Sequence, residues 1–353
     1  MMTAQQLDLA GRKPGHVVLR GRFYAWRFNY RVLLYAGLGL IAIALLAIWA
    51  MTLGSFQMSF GDVAAAAVGH GSDDKVYVVR SLRLPRVLCA ILIGGTLAMS
   101  GAIFQGLVRN PLVSPDIIGI NAGATTVAVF WIVTNAAPGY LPLAALSGAI
   151  AAALVIYLLS WKGGISPDRL ILVGIGIGAA LTALTTFMLV RFPLMAARPA
   201  QIWTMGSVYG STWRDVLWLT ATLLIGGAAA TILMWPLRVL QLGDDITRGL
   251  GISLERTRLS LILVGCALAA VAVAIGGPIG FVALMVPHVA RMLAGPLSGS
   301  VLLLTAVIGA LFLLFADVIA QHYLPVTLPV GVVTAAVGAP YFLFLLYRSN
   351  VRQ

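Results

Sequence analysis

The sequence is poor in charge, above all in acid, and nearly devoid of cysteine. Of 353 residues only 10% are charged, and 11 Asp and Glu stand against 23 Lys and Arg. With 60% of residues hydrophobic, so little charge cannot cover a water-soluble fold, which leaves a polytopic membrane protein. The two cysteines, Cys89 and Cys266, lie inside apolar runs without metal-site or redox spacing. They read as small buried packing residues, so no disulfide framework, metal centre or cofactor is expected. The His288/Arg291 pair in VPHVARMLAG is not a ligand set. No GxxxxGK[ST] loop occurs, so any ATP used here is hydrolysed by another chain. Net charge +12 invites a nucleic-acid reading, but the basic residues sit in short loops between apolar segments, where membrane topology accounts for them.

What is present in abundance is apolar sequence of membrane-spanning length. Segments near 32–52, 84–107, 117–135, 140–161, 168–190, 214–236, 258–277, 280–294, 299–320 and 328–347 predict ten helices. The basic segment 1–30 leads into the first, which reads as a retained helix and not a cleaved signal. An even count puts both termini on one side. Placing them in the cytoplasm assigns sixteen of the 23 basic residues to the inside. An internal echo relates LSGAIAAALVIYLLS (146–160) to VIGALFLLFADVIAQ (307–321), and 173–190 to 330–347. A five-span offset is odd, so the halves, about 31–212 and 213–350, form an inverted repeat within one transmembrane domain over 31–353.

Several segments are more than spans. RSLRLPRVL gathers Arg80, Arg83 and Arg86 at the outer end of the second span, a local exception to the positive-inside rule that needs a partner. GLVRNPLVSPDIIG (106–119) breaks the second span at Pro111 and Pro115, and such irregular backbone is buried in protein or lines water. There Asn110 can close a polar constriction or cap the broken helix end, and its chemistry does not choose. In LQLGDDITRGLGISLERTR (240–258), Asp244 and Asp245 open a helix ahead of Gly249, Leu250 and Gly251, which predicts two short helices joined by a tight turn. That apolar knuckle either inserts into a cytoplasmic partner or packs on its own bundle. Trp203 and Trp213, in ARPAQIWTMGSVYGSTW, mark an interfacial belt or a helix at a pathway mouth. Asp317 in the ninth span is a carboxylate at membrane depth. A proton-coupled carrier would use it, but the other mid-membrane ionisable groups of such carriers are missing.

RLPRVLCAILIGGTLAMSGAIFQGLVRNPLVSPDIIGINAGA (83–124), IWTMGS (202–207), LGDDITRGLGISLERTR (242–258), GPIGFVALMVPHVAR (277–291) and LPVGVVTAAVGAP (328–340) together resemble the FecCD-type (BtuC-like) permeases. These are membrane subunits of binding-protein-dependent, ATP-driven importers of iron–siderophores, haem and cobalamin. The resemblance implies an all-α, ten-helix, type II importer permease of the bacterial inner membrane. Its implied partners are a second permease chain, two cytoplasmic ATPase subunits and a periplasmic or lipid-anchored binding protein. It also implies that Arg83 and Arg86, with Arg80 beside them, contact acidic lobes of the binding protein, and that Asn110 and Leu112 lie at a cytoplasmic gate. Gly243, Asp244, Asp245, Arg248, Gly249, Leu250 and Gly251 would form the element that seats in the ATPase. The chain departs from the family pattern at Gln321, where an Arg is frequent, at Thr327, and at Pro167 in SPDR. Its details are most similar to ferric-enterobactin-type permeases, which implies a catecholate siderophore as cargo and a heterodimer.

Overall fold

The computed structural model describes residues 16–20, 25–162, 164 and 166–350; other parts of the segment 1–30 lie outside the described residues. Strands β1 (His16–Arg20) and β2 (Ala25–Asn29) form an antiparallel hairpin that pairs His16 with Asn29 and Arg20 with Ala25. The β-branched and aromatic residues of HVVLR and AWRFN suit that arrangement. The sequence reading gave this segment only a basic character, so the hairpin is an addition to an otherwise helical chain.

The helices are α1 (Tyr30–Thr52), α2 (Phe60–Ala67), α3 (Asp73–Val108), α4 (Ile120–Val133), α5 (Leu141–Ser160), α6 (Pro167–Arg191), α7 (Leu194–Thr204), α8 (Trp213–Leu240), α9 (Asp244–Gly249), α10 (Leu254–Gly276), α11 (Val282–Ala294), α12 (Gly299–His322) and α13 (Val330–Asn350). Among the described residues seven are long and apolar enough to cross a membrane, and α4, α11 and the apolar part of α13 are shorter. Seven and three make the ten expected spans.

Helix α3 is the hub: its apolar window is 83% buried, against 6% for α1 and 17% for α6. It packs on α8, α10, α11 and α12. Close approach requires the absence of side chains at two places. A Cβ on Gly94 would collide with the carbonyl of Gly309 in α12, and one on Gly101 with the carbonyl of Ala283 in α11. Small residues thus bring backbones together without polar glue, as their spacing predicts.

Helix α3 begins well before residue 84, where the second expected span starts. It begins at Asp73 and passes through a π-turn over Val78–Arg83. In that register the Leu84 N–H bonds the Val79 carbonyl, so the next carbonyl, that of Arg80, faces Pro85, which has no N–H to give. The Trp213 indole supplies the missing donor, with Nε1 bonding to the Arg80 carbonyl at 2.8 Å. One proline therefore explains both the local widening of the helix and the placement of a tryptophan from the start of α8.

Candidate functional site: two ends of one bundle

The start of α3, the end of α1, the start of α8 and the end of α12 meet at one end of the bundle, here the Arg80 end. The three arginines, three residues apart on one helix, have different surroundings. Arg80 is exposed. Arg83 donates to the carbonyls of Met51 and Phe56, the latter at 2.7 Å. A cation there satisfies the open carbonyls that end α1 and complements its dipole.

Arg86 grips Asp317 on α12 with a fork, Nε to Oδ2 at 3.0 Å and Nη2 to Oδ1 at 2.8 Å. The two side chains are only 14% and 5% exposed, and the Arg86 guanidinium also lies 5.9 Å from the Tyr209 ring centroid. The resemblance implied that Arg86 contacts a binding protein; in this chain its guanidinium is held by Asp317, a pairing that the sequence reading did not foresee. Desolvation favours a charge that finds its opposite inside the protein, and planar Arg–carboxylate geometry rewards the fork. Arg83, Arg86, Asp317, His322, Gln321 and Tyr209 line a cleft of about 600 Å³ open at this end.

The opposite, Asp244 end carries the broken segment after α3 and the loop between α8 and α10. Arg109 adopts a left-handed conformation, φ 57°, and closes α3. The Asn110 side chain then accepts from the Leu112 N–H at 2.9 Å, an Asx turn. Asn110 is exposed and Leu112 half-buried; the turn orders the segment after α3, and an oxygen that accepts from Leu112 does not cap the carbonyls that end the helix.

Beyond α8, a single six-residue helix, α9, replaces the expected pair. The residues after Gly251 enter the first turn of α10 directly, because Gly251, φ 76°, turns the chain in one step. Gly243, φ 120°, opens α9. The buried Thr247 hydroxyl bonds the carbonyls of Val239 and Gly243, which fastens α9 to the end of α8. Asp244 takes Arg258 of α10 at 2.9 Å and approaches Arg109 at 3.9 Å. The Arg109 guanidinium also donates to the Leu240 carbonyl, and Gln241 Nε2 bonds the Gly106 carbonyl at 3.1 Å. The knuckle is thus clamped to the segment that holds Asn110 and Leu112.

What α9 leaves outside is apolar. Leu242, Ile246 and Leu250 are 62%, 52% and 59% exposed, with Asp245 and Arg248 exposed beside them and Gly249 and Gly251 leaving room around them. These residues form an apolar knob rimmed by charge at the end of the bundle.

Arg109, Arg258 and Thr247 were not singled out from the sequence. Two of them sit in the motifs RNPL and ERTR, but only folding brings those motifs to one aspartate.

The profile of the FecCD transport family matches residues 41–348. The chain belongs to the FecCD transport family. Among its relatives, the achromobactin transport system permease protein CbrC of Dickeya dadantii is 40% identical over 348 residues, 98% of this chain and 100% of that protein. The ferric enterobactin transport system permease protein FepG of Escherichia coli is 40% identical over 325 residues, 92% of this chain and 98% of that protein. A solved structure described as an inward-facing conformation of a metal-chelate type ABC transporter superposes with a TM-score of 0.80 at 29% identity, covering 89% of this chain and 98% of that one. This FecCD-family chain is therefore a multi-pass transport permease and not an enzyme.

Proposed function

We propose that this chain is one of two different permease subunits of an ATP-driven importer that carries a ferric siderophore across a bacterial inner membrane. The family and the printed functions of the achromobactin and enterobactin relatives support a siderophore as cargo. The motif details favour a catecholate complex. The Asp244 end faces the cytoplasm, where the Leu242, Ile246 and Leu250 knob seats in a partner ATPase. The Arg80 end receives an acidic binding protein, with exposed Arg80 as the free cation and with Arg83 and Arg86 holding the surface that presents it. The observation that carries the mechanism is the clamp of Asp244 between Arg109 and Arg258. When ATP closes the partner subunits, α9 moves as a unit with the end of α8, and Arg109 transmits that movement to the Asn110–Leu112 turn at the inner mouth. A proton-driven carrier would need a membrane-depth carboxylate not committed to a partner, whereas both oxygens of Asp317 are held by Arg86.

A strain deleted for this chain, grown on each of several ferric siderophores as sole iron source, tests the reading. Loss of growth on a catecholate siderophore, restored by the chain, is the expected result. Loss of cobalamin or haem use alone, with siderophore growth intact, would overturn the cargo.

A further inference from the structure

A second feature lies beside the Arg80 end, on the outside of the bundle. Helices α5 and α8 both pack on α10, and residues of all three line a gap near their Arg80 ends. The gap is a groove of about 420 Å³, within the size of sites that hold a molecule and not only solvent. Its walls are apolar, with Leu143 and Leu146 from α5, Trp218 from α8, and Val271 and Ile275 from α10 as the floor. Leu143 and Trp218 are exposed, so the groove opens sideways, where a membrane supplies acyl chains and no water.

Its rim carries one charge of each sign. Arg214 is exposed at the start of α8 and lines the groove beside Asp215. Asp215 caps the helix through Oδ2 alone, which accepts from the Thr212 N–H and hydroxyl at 2.8 Å each. Among the described residues no donor meets its other oxygen, Oδ1, which can take a further one. A cation next to a carboxylate with a free oxygen matches a phosphodiester next to a primary ammonium.

We propose that this groove is a site for one phosphatidylethanolamine molecule: an acyl chain lies along α10, the phosphate meets Arg214, and the ammonium donates to Asp215 Oδ1. A choline headgroup has no N–H to donate, and a glycerol headgroup brings no cation for Asp215. Thr212 lines both this groove and the cleft beneath Arg86. A bound lipid therefore braces the loop that closes the Arg80 end. The assignment needs only membrane insertion and is independent of the cargo.

Native mass spectrometry of the detergent-purified chain, titrated with phosphatidylethanolamine, phosphatidylglycerol and phosphatidylcholine of identical acyl chains, tests it. The expected result is one phosphatidylethanolamine retained about tenfold better than phosphatidylcholine, the worth of one charge-assisted hydrogen bond. Asp215→Asn keeps an acceptor for the Thr212 cap and brings retention down to the phosphatidylcholine level. Arg214→Glu lowers retention of all three lipids, as does Leu146→Trp, which fills the groove. Equal retention of phosphatidylethanolamine and phosphatidylcholine, stronger retention of phosphatidylglycerol, or an unchanged preference in Asp215→Asn overturns the proposal. A melting temperature near that of the parent qualifies each variant, and Leu143→Trp is the substitute should Leu146→Trp not fold.

Discussion

The two ends of the bundle use charge in opposite ways. At the Arg80 end three arginines lie on one helix, yet two are consumed internally, Arg83 by the end of α1 and Arg86 by Asp317. At the Asp244 end Arg109 and Arg258 meet one aspartate, and the apolar Leu242, Ile246 and Leu250 are left outside together with Asp245 and Arg248. A cluster of like charge in a sequence is therefore weak evidence of a charged surface. A short apolar run among charges, at a place where the chain leaves the bundle, is the feature on which the proposed contact with an ATPase rests.

The largest effect expected from breaking this contrast is at Arg86. Arg86→Ala leaves Asp317 charged and enclosed, a loss of about 3–5 kcal/mol, to be seen as a much lower melting temperature in detergent. The double variant Arg86→Met with Asp317→Leu recovers most of that loss. A double variant no more stable than the single one would show that the pair is not the cause. For the same reason docking at this end is tested at Arg80 and not at Arg86, whose reversal would set Glu against Asp317.

Next comes Asp244→Ala, which removes the carboxylate that Arg109 and Arg258 share and leaves Arg109 on the Leu240 carbonyl. In membranes carrying the whole importer, transport is expected to fall about tenfold, on the order of the 1.4 kcal/mol that two half-exposed charged contacts supply. Melting temperature should change little. Normal transport by this variant would remove the clamp from the mechanism.

A smaller effect is expected from Arg80→Glu: a several-fold weaker association with the binding protein at low salt, vanishing as salt is raised, since exposed charges steer encounters and are screened. Unchanged association at low salt would move docking elsewhere on this end.

The smallest concerns Asp62, which sits between Lys75, at 2.7 Å, and the Ser59 cap. The Lys75 ammonium, then Ser59, hold its carboxyl down to about 2. A depressed carboxylate adds stability above its ordinary pKa, which is lost as pH falls from about 4 through about 2. Asp62→Asn should flatten the melting-temperature profile in that window and nowhere else, which a pH series of melts would reveal.

Much of the helical order was legible in the sequence. Span positions follow from apolar length, the breaks at Pro111 and Pro115 from missing N–H groups, and the helix start at Asp244 from its paired acids. The π-turn at Val78–Arg83 was not legible, because its signature is a proline whose orphaned carbonyl is answered 133 residues away by Trp213. The second short helix expected after α9 fails because Gly251 turns the chain directly into α10.

What the sequence determined alone is what depends on neighbours along the chain: hydrophobic run length, turn chemistry and the small faces of α3. What only the tertiary structure decided is which charges meet. Arg86 and Asp317 are 231 residues apart in the chain, and no local pattern distinguishes Arg86 from Arg80. They meet because Gly94 and Gly309 let α3 and α12 approach backbone to backbone, and in a poorly hydrated interior an arginine within reach of a carboxylate takes it.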